Sequence, residues 1–241
     1  MRTTKIMKIF RSWMTGAFLA GLLTVPVCAQ TVRPVIAELS NPAKGRIEYY
    51  NDSLAPLNVV LEPKSFSVSE KGEITYRPLD DTIHLKLSTT SFKIPPQQSY
   101  YVFYEANTQA APGWFVIYAA FSGFPFRTQQ GMNIRLELPH TVYLLPKGGL
   151  GKSDVVVDQL EFKPAEKKLI VGVENTGNSF GRVEETLVMF GKKKQEAPGF
   201  PVFPHKRRVM EISLEEGQTP SSVVLQFQDF KVEEALRTST P

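Results

Sequence analysis

Apolar side chains recur at every second position from Met132 to Leu144, in the run MNIRLELPHTVYL. Met132, Ile134, Leu136, Leu138, Val142 and Leu144 share one parity, with His140 the single interruption. A period of two over this length predicts a β-strand, not a helix. Pro139 falls on the opposite parity; because proline removes a ladder donor, the strand belongs at a sheet edge or a bulge. A long edge strand with an apolar face invites pairing with other chains. Such a strand is either covered by its own protein or serves to pair with another.

The same pattern breaks the rest of the chain into strands divided by turn chemistry. VRPVIAEL (32–39), RIEYYN (46–51), PLNVVLEP (56–63) and IHLKLS (83–88) come first, and a hairpin turning at Lys71-Gly72 lies between the last two. A further strand region runs from Phe92 to Tyr104, broken at Pro95-Pro96. WFVIYAAF (114–121) is continuously apolar, as expected of a strand buried on both faces. Strands at this spacing, with no helical period among them, predict an immunoglobulin-like sandwich over residues 30–147. Residues 148–153, bounded by Lys147, hold three glycines (Gly148, Gly149 and Gly151) and read as a Gly-rich hinge. The pattern then restarts with 155–162, 167–175, 185–190, 207–214 and 221–230, predicting a second, smaller sandwich over 154–241. The fold class is therefore all-β, with two tandem immunoglobulin-like domains.

The first 29 residues change the reading of charge. Arg2, Lys5, Lys8 and Arg11 precede an apolar run that ends in Val27-Cys28-Ala29, the form of a secretory signal cut after Ala29. The whole chain has 28 basic and 24 acidic residues, and the leader holds four of the basic ones, so the remainder is formally neutral. That balance gives no reason to expect nucleic-acid binding or stable membrane insertion. Cys28, the one cysteine, leaves with the leader, so the exported part must rest on its cores without disulfides.

No motif for catalysis, cofactor binding or metal ligation emerges. His84, His140 and His205 lie apart, without ligand spacing, and no nucleophile elbow or dinucleotide fingerprint is present. Gly148–Ser153 lacks the spacing of a phosphate loop and opens no helix, so it remains a linker. Asp80-Asp81 and Glu184-Glu185 read as solvated pairs, and Asn51-Asp52-Ser53 as a turn at a strand end. The basic groups Lys192–Lys194 and His205–Arg208 read as a solvated loop, with a patch for an acidic partner as the alternative. No enzyme activity, cofactor or metal is expected.

Several residues together carry a family resemblance. They are Tyr49-Tyr50-Asn51-Asp52 before Pro56-Leu57, the turn Ile94-Pro95-Pro96-Gln97-Gln98-Ser99, the alternating strand ending at Leu145-Pro146, and Val173-Glu174-Asn175-Thr176 in the second half. In this order, behind an export signal, they resemble the PapD-like periplasmic pilus (fimbrial) assembly chaperones. The resemblance implies a periplasmic protein that binds pilin-like secreted subunits by donor-strand complementation, with an outer-membrane usher as a further partner. It implies Met132, Ile134, Leu136 and Leu138 as donor residues. It also implies a carboxylate anchor at Arg33 and at the position of Thr141, where the family has lysine. His140, which faces the apolar side, and Lys147, which lies beyond the strand, are the residues left to compensate for that lysine. The free protein is expected as a monomer, with a self-capping dimer as the variant. The competing reading is a secreted two-domain binding or adhesion module that buries the 132–138 face within itself.

Overall fold

A computed structural model describes residues 30–123, 136–215 and 219–236. Its first part is a sandwich of ten strands. One sheet holds β1 (Thr31–Arg33), β3 (Ala43–Asn51), β8 (Gln98–Thr108) and β6 (Ile83–Leu87), in the order β1-β3-β8-β6. The facing sheet runs β2 (Ile36–Ser40), β10 (Leu136–Leu145), β9 (Gly113–Ser122), β4 (Leu57–Val68), β5 (Ile74–Pro78), and β7 (Ser91–Ile94) also pairs with β4. The second part holds β11 (Val155–Lys163), β12 (Lys168–Asn175) and β15 (Lys206–Ser213) in one sheet. Its other sheet runs β14 (Lys193–Val202), β13 (Gly181–Phe190), β16 (Ser222–Gln226), β17 (Lys231–Ala235). A single 3-10 turn, Lys152–Asp154, follows the glycines between the two sandwiches.

Alternation explains both cores. On β3, Ile47 and Tyr49 are fully buried between exposed or half-buried neighbours, and on β8 Val102, Tyr104 and Ala106 do the same from across the sheet. They meet Leu57 and Val59 of β4 with Phe115, Ile117 and Phe121 of β9 to fill the first sandwich. Leu169, Val171 and Val173 of β12 pack against Val183, Val188, Val223 and Leu225 to fill the second.

Each sandwich also buries one asparagine where its second core strand ends. Asn51 donates through Nδ2 to the carbonyls of Ala55 (2.9 Å) and Ile94 (3.1 Å) and accepts at Oδ1 from the Ser53 amide (3.0 Å). Asn175 donates to the Ser179 (2.8 Å) and Val202 (3.2 Å) carbonyls and accepts from Gly177 N–H (2.9 Å). Both side chains are inaccessible to solvent and substitute for the backbone partners that an irregular turn lacks.

The sequence pattern differs from the strands in three places. VRPVIAEL is two strands, because the chain crosses from one sheet to the other at Arg33-Pro34-Val35. Pro198-Gly199-Phe200-Pro201, which reads as a turn, falls within strand β14; the strand lies at a sheet edge, where Pro198 and Pro201 are tolerated. The 221–230 run ends at Gln226, and the polar segment Lys231–Ala235 supplies β17, another edge.

A third apolar cluster joins the two sandwiches. Phe66, Val116 and Tyr143 from the first pack with Phe180 and Phe203 from the second. Tyr143 stacks on Phe180 at 4.3 Å between ring centres, and Trp114 meets Phe203 at 4.7 Å. The Arg182 guanidinium lies over the Tyr143 ring and pairs with Glu38 of β2 at 2.6 Å. The tip of the β4–β5 hairpin adds a main-chain bond, Val209 N–H to the Glu70 carbonyl (2.7 Å).

Replacing Asn51 with alanine removes the donor to the Ile94 carbonyl and the acceptor of the Ser53 amide, each buried group costing roughly 1–3 kcal/mol if left without a partner. The expected outcome is a marked fall in the urea midpoint; an unchanged midpoint would remove Asn51 from its structural role.

Candidate functional site

Strand β10 is shared between two environments. His140, Val142 and Leu144 enter the first core, whereas Thr141 and Tyr143 face the second sandwich. Leu136 and Leu138 are half-buried and pack against the rim of the first core. Met132 and Ile134 lie outside the described residues.

The pairing of β10 changes midway. β9 runs antiparallel beside its whole length, from Leu136 opposite Phe121 to Leu144 opposite Gly113. β2 runs parallel on the other side, only from Thr141 to Leu145. The Thr141 amide donates to the Val35 carbonyl at 2.8 Å, so odd-numbered residues turn their main chain towards the β2 side. Pro139 therefore directs its missing donor to that side, beyond the end of β2, where no described strand stands. Among the described residues, the stretch from Leu136 to His140 has β9 as its one strand neighbour.

His140 fixes the point where β2 begins to cover β10. Its ring is fully buried; Nδ1 lies 2.6 Å from the Pro34 carbonyl and Nε2 lies 3.2 Å from the Tyr104 hydroxyl. A carbonyl only accepts, so Nδ1 carries the proton and Nε2 accepts from Tyr104. Burial pushes the imidazole pKa down, with the bond to Pro34 opposing in part. Burial also pushes the Tyr104 hydroxyl up to about 12, so it remains a donor at neutral pH.

The anchor candidates lie on strands of the two facing sheets. Arg33 alternates with buried Val32 on β1 and lies opposite Glu48 of β3, on the outer face of the first sheet. Its charge helps hold the Glu48 carboxyl low, after the larger effect of the Ser99 hydroxyl. Thr141 lies on the outer face of the other sheet. The Thr141 amide bonds to the Val35 carbonyl, two residues after Arg33. Lys147 is exposed beyond β10.

Thr141 lines a cavity of about 160 Å³ between the sandwiches, with Phe66, Tyr76, Tyr143, Pro201 and Arg208 among its walls. Arg208 is the residue that sequence reasoning missed. Within the basic run it looks solvated, but it shares parity with Met210 and buried Ile212 on β15, and that alternation is the signal that sets it apart. Burial depresses its pKa, and Nη1 donates to the Glu70 carbonyl at 3.0 Å. Gly72, at φ +88°, lies against the guanidinium so closely that any Cβ there would collide with it. Arg207, of opposite parity, turns outward to Asp158 (2.5 Å) and Glu70 (3.3 Å). Among the described residues, no three His, Cys, Asp or Glu side chains cluster as a metal site would require.

No family profile matches the sequence, and no curated protein matches it. Solved structures do. The YadV chaperone superposes with a TM-score of 0.56 at 10% identity, covering 86% of this chain and 99% of that one. A chain of the Salmonella enterica SafA pilin–SafB chaperone complex gives 0.55 at 10% identity, over 87% and 97%. The class 5 fimbriae chaperone CfaA gives 0.53 at 12% identity, over 86% and 98%. The fold is that of the fimbrial chaperones. The likeness extends over both sandwiches, since each comparison covers most of both chains.

The buried His140 makes the protein sensitive to acid. Its native pKa lies below that of an unfolded histidine, about 6.5. Above that pH neither state binds the proton; below it the unfolded state binds it first, so stability falls as pH drops. His140→Gln is expected to show a shallower loss of stability than the wild type between about pH 6.5 and 5. Parallel urea-unfolding curves would contradict the assignment.

Proposed function

We propose that this protein is a periplasmic chaperone that binds pilus-type subunits by strand donation and delivers them for assembly at the outer membrane. The observation that carries the proposal is the split pairing of β10, with β2 covering Thr141–Leu145 and stopping before Leu136–His140. The donor face is Met132, Ile134, Leu136 and Leu138, four apolar side chains of one parity. Inserted into a subunit that lacks one strand of its own sandwich, they would fill its groove while the main chain extended its sheet. Each fully buried side chain of this size is worth roughly 1.5–3 kcal/mol before ordering costs. No nucleotide is needed, because groove filling supplies the free energy. The fold likeness to the fimbrial chaperones supports the same reading, and the signal-like leader supports export.

Two sandwich domains, 30–147 and 154–241, separated by residues 148–153, form the working unit of this proposal. Arg33 and Thr141 are the candidate anchors for a client carboxylate. Arg208, beside Thr141 in the cleft, joins them as a cation already in place. The partners are pilin-like secreted subunits, with an outer-membrane usher receiving the complex.

The test is co-expression with fimbrial subunits of the host, followed by affinity purification. Ile134→Asp with Leu136→Asp is expected to reduce the recovered subunit at least about tenfold while leaving the chaperone folded, as the loss of two apolar contacts requires. Equal recovery, or outright unfolding of the double variant, would overturn the donor assignment. Arg208→Ala and Arg33→Ala are each expected to weaken capture, and a variant with unchanged affinity is removed from the anchor.

A further inference from the structure

Arg207 and Arg208 are neighbours on β15 with opposite electrostatic surroundings. Arg207 holds two carboxylates, Asp158 at 2.5 Å and Glu70 at 3.3 Å, and these raise its pKa. Arg208 makes no ion pair among the described residues, and its one hydrogen bond goes to the Glu70 carbonyl at 3.0 Å. Burial, with no opposing carboxylate, depresses its pKa. A guanidinium carries five N–H donors, so most of this one lacks a protein acceptor. A charge drawn partly out of water without a counter-ion is costly, and an anion beside it offsets that cost.

The cavity of about 160 Å³ that Arg208 lines supplies the rest of a site. Its walls come from strands of both sandwiches, and Arg208 is the one charged side chain among them. Phe66, Ile74 and Val116 give it apolar walls, while Thr141 adds a hydroxyl. An apolar cavity of about 150 Å³ is enough to hold a benzene ring, so this volume suits one ring or one branched alkyl group. The guanidinium is in position before any ligand arrives. The Glu70 carbonyl takes Nη1, and Gly72 leaves beside the guanidinium no room for a Cβ. A group held in this way loses little freedom on binding. One cation without a second favours a monoanion, and the planar fork of a guanidinium matches the two oxygens of a carboxylate.

We propose that this cavity binds a compact carboxylic acid bearing one ring-sized or branched apolar group, with the carboxylate on Arg208 and the apolar group among the walls from the first sandwich. A free small acid and the last residue of a polypeptide share this chemistry. The assignment goes beyond a bare carboxylate anchor, because it specifies the group that accompanies the carboxylate. It also stands whether or not β10 donates its strand, and it is measured on the free protein without any client.

The test titrates isotope-labelled protein with 3-phenylpropionate and, separately, with a short glycine peptide ending in phenylalanine with a free carboxylate. Each is compared with its amide, and acetate serves as the acid without a ring. Saturable NMR shifts are expected at the amides of Val116, Thr141, Tyr143 and Arg208 for at least one of the two acids. The amide and acetate are each expected to bind at least tenfold more weakly. Arg208→Gln is expected to remove the advantage of the acid over its amide while leaving the binding of the amide unchanged, which a purely structural role for Arg208 would not do. The comparison of acid with amide needs no altered protein, should that variant fold poorly. Binding of the phenylpropionate assigns the site to a free acid, and binding of the peptide alone assigns it to a chain end. The proposal is overturned if neither acid gives saturable shifts, if the shifts lie away from the cavity, or if the amide or acetate binds as tightly as the acid.

Discussion

The whole arrangement depends on one strand having its two faces committed to two different interiors. The even-numbered residues His140, Val142 and Leu144 belong to the first core, while Thr141 and Tyr143 face the second sandwich. A one-residue slip would exchange these faces, placing the stacked Tyr143 in the first core and Val142 against Phe180. The register of β10 is thereby fixed from both sides. Its leading half, from Leu136, extends from this fixed base towards the edge that β2 leaves uncovered.

The joint between the sandwiches supports that base. Phe66, Trp114, Tyr143, Phe180 and Phe203 bring rings from both halves into contact, which favours one relative orientation over a freely swinging linker. Arg182 adds a contact with Glu38 on β2, the same strand that covers the back half of β10. The hairpin tip and Arg207 link Glu70 to β15. A Cβ at Gly148 or Gly149 would meet nothing, so the packing that sets the orientation lies in these contacts across the joint.

Much of this was legible in the sequence because period two is a local signal. The two sandwiches, the hairpin at Lys71-Gly72, the doubly buried β9 and the edge position of Pro139 all follow from residues a few places apart. What stayed hidden depends on contacts across long separations. Pro198 and Pro201 look like turn residues until β14 is found at an edge, and Lys231–Ala235 is too polar to stand out from its turn. Arg208 looked solvated because its neighbours Lys206 and Arg207 are, and the β4–β5 hairpin that covers it lies well over a hundred residues away.

The most direct test of strand donation is amide hydrogen exchange, read peptide by peptide, on the free protein and on its complex with a co-expressed fimbrial subunit. The account predicts that segment 132–139 becomes strongly protected on binding, while β12 and β16 in the second core remain unchanged. Protection that appears elsewhere on the complex, with 132–139 exchanging as it does in the free protein, would contradict it.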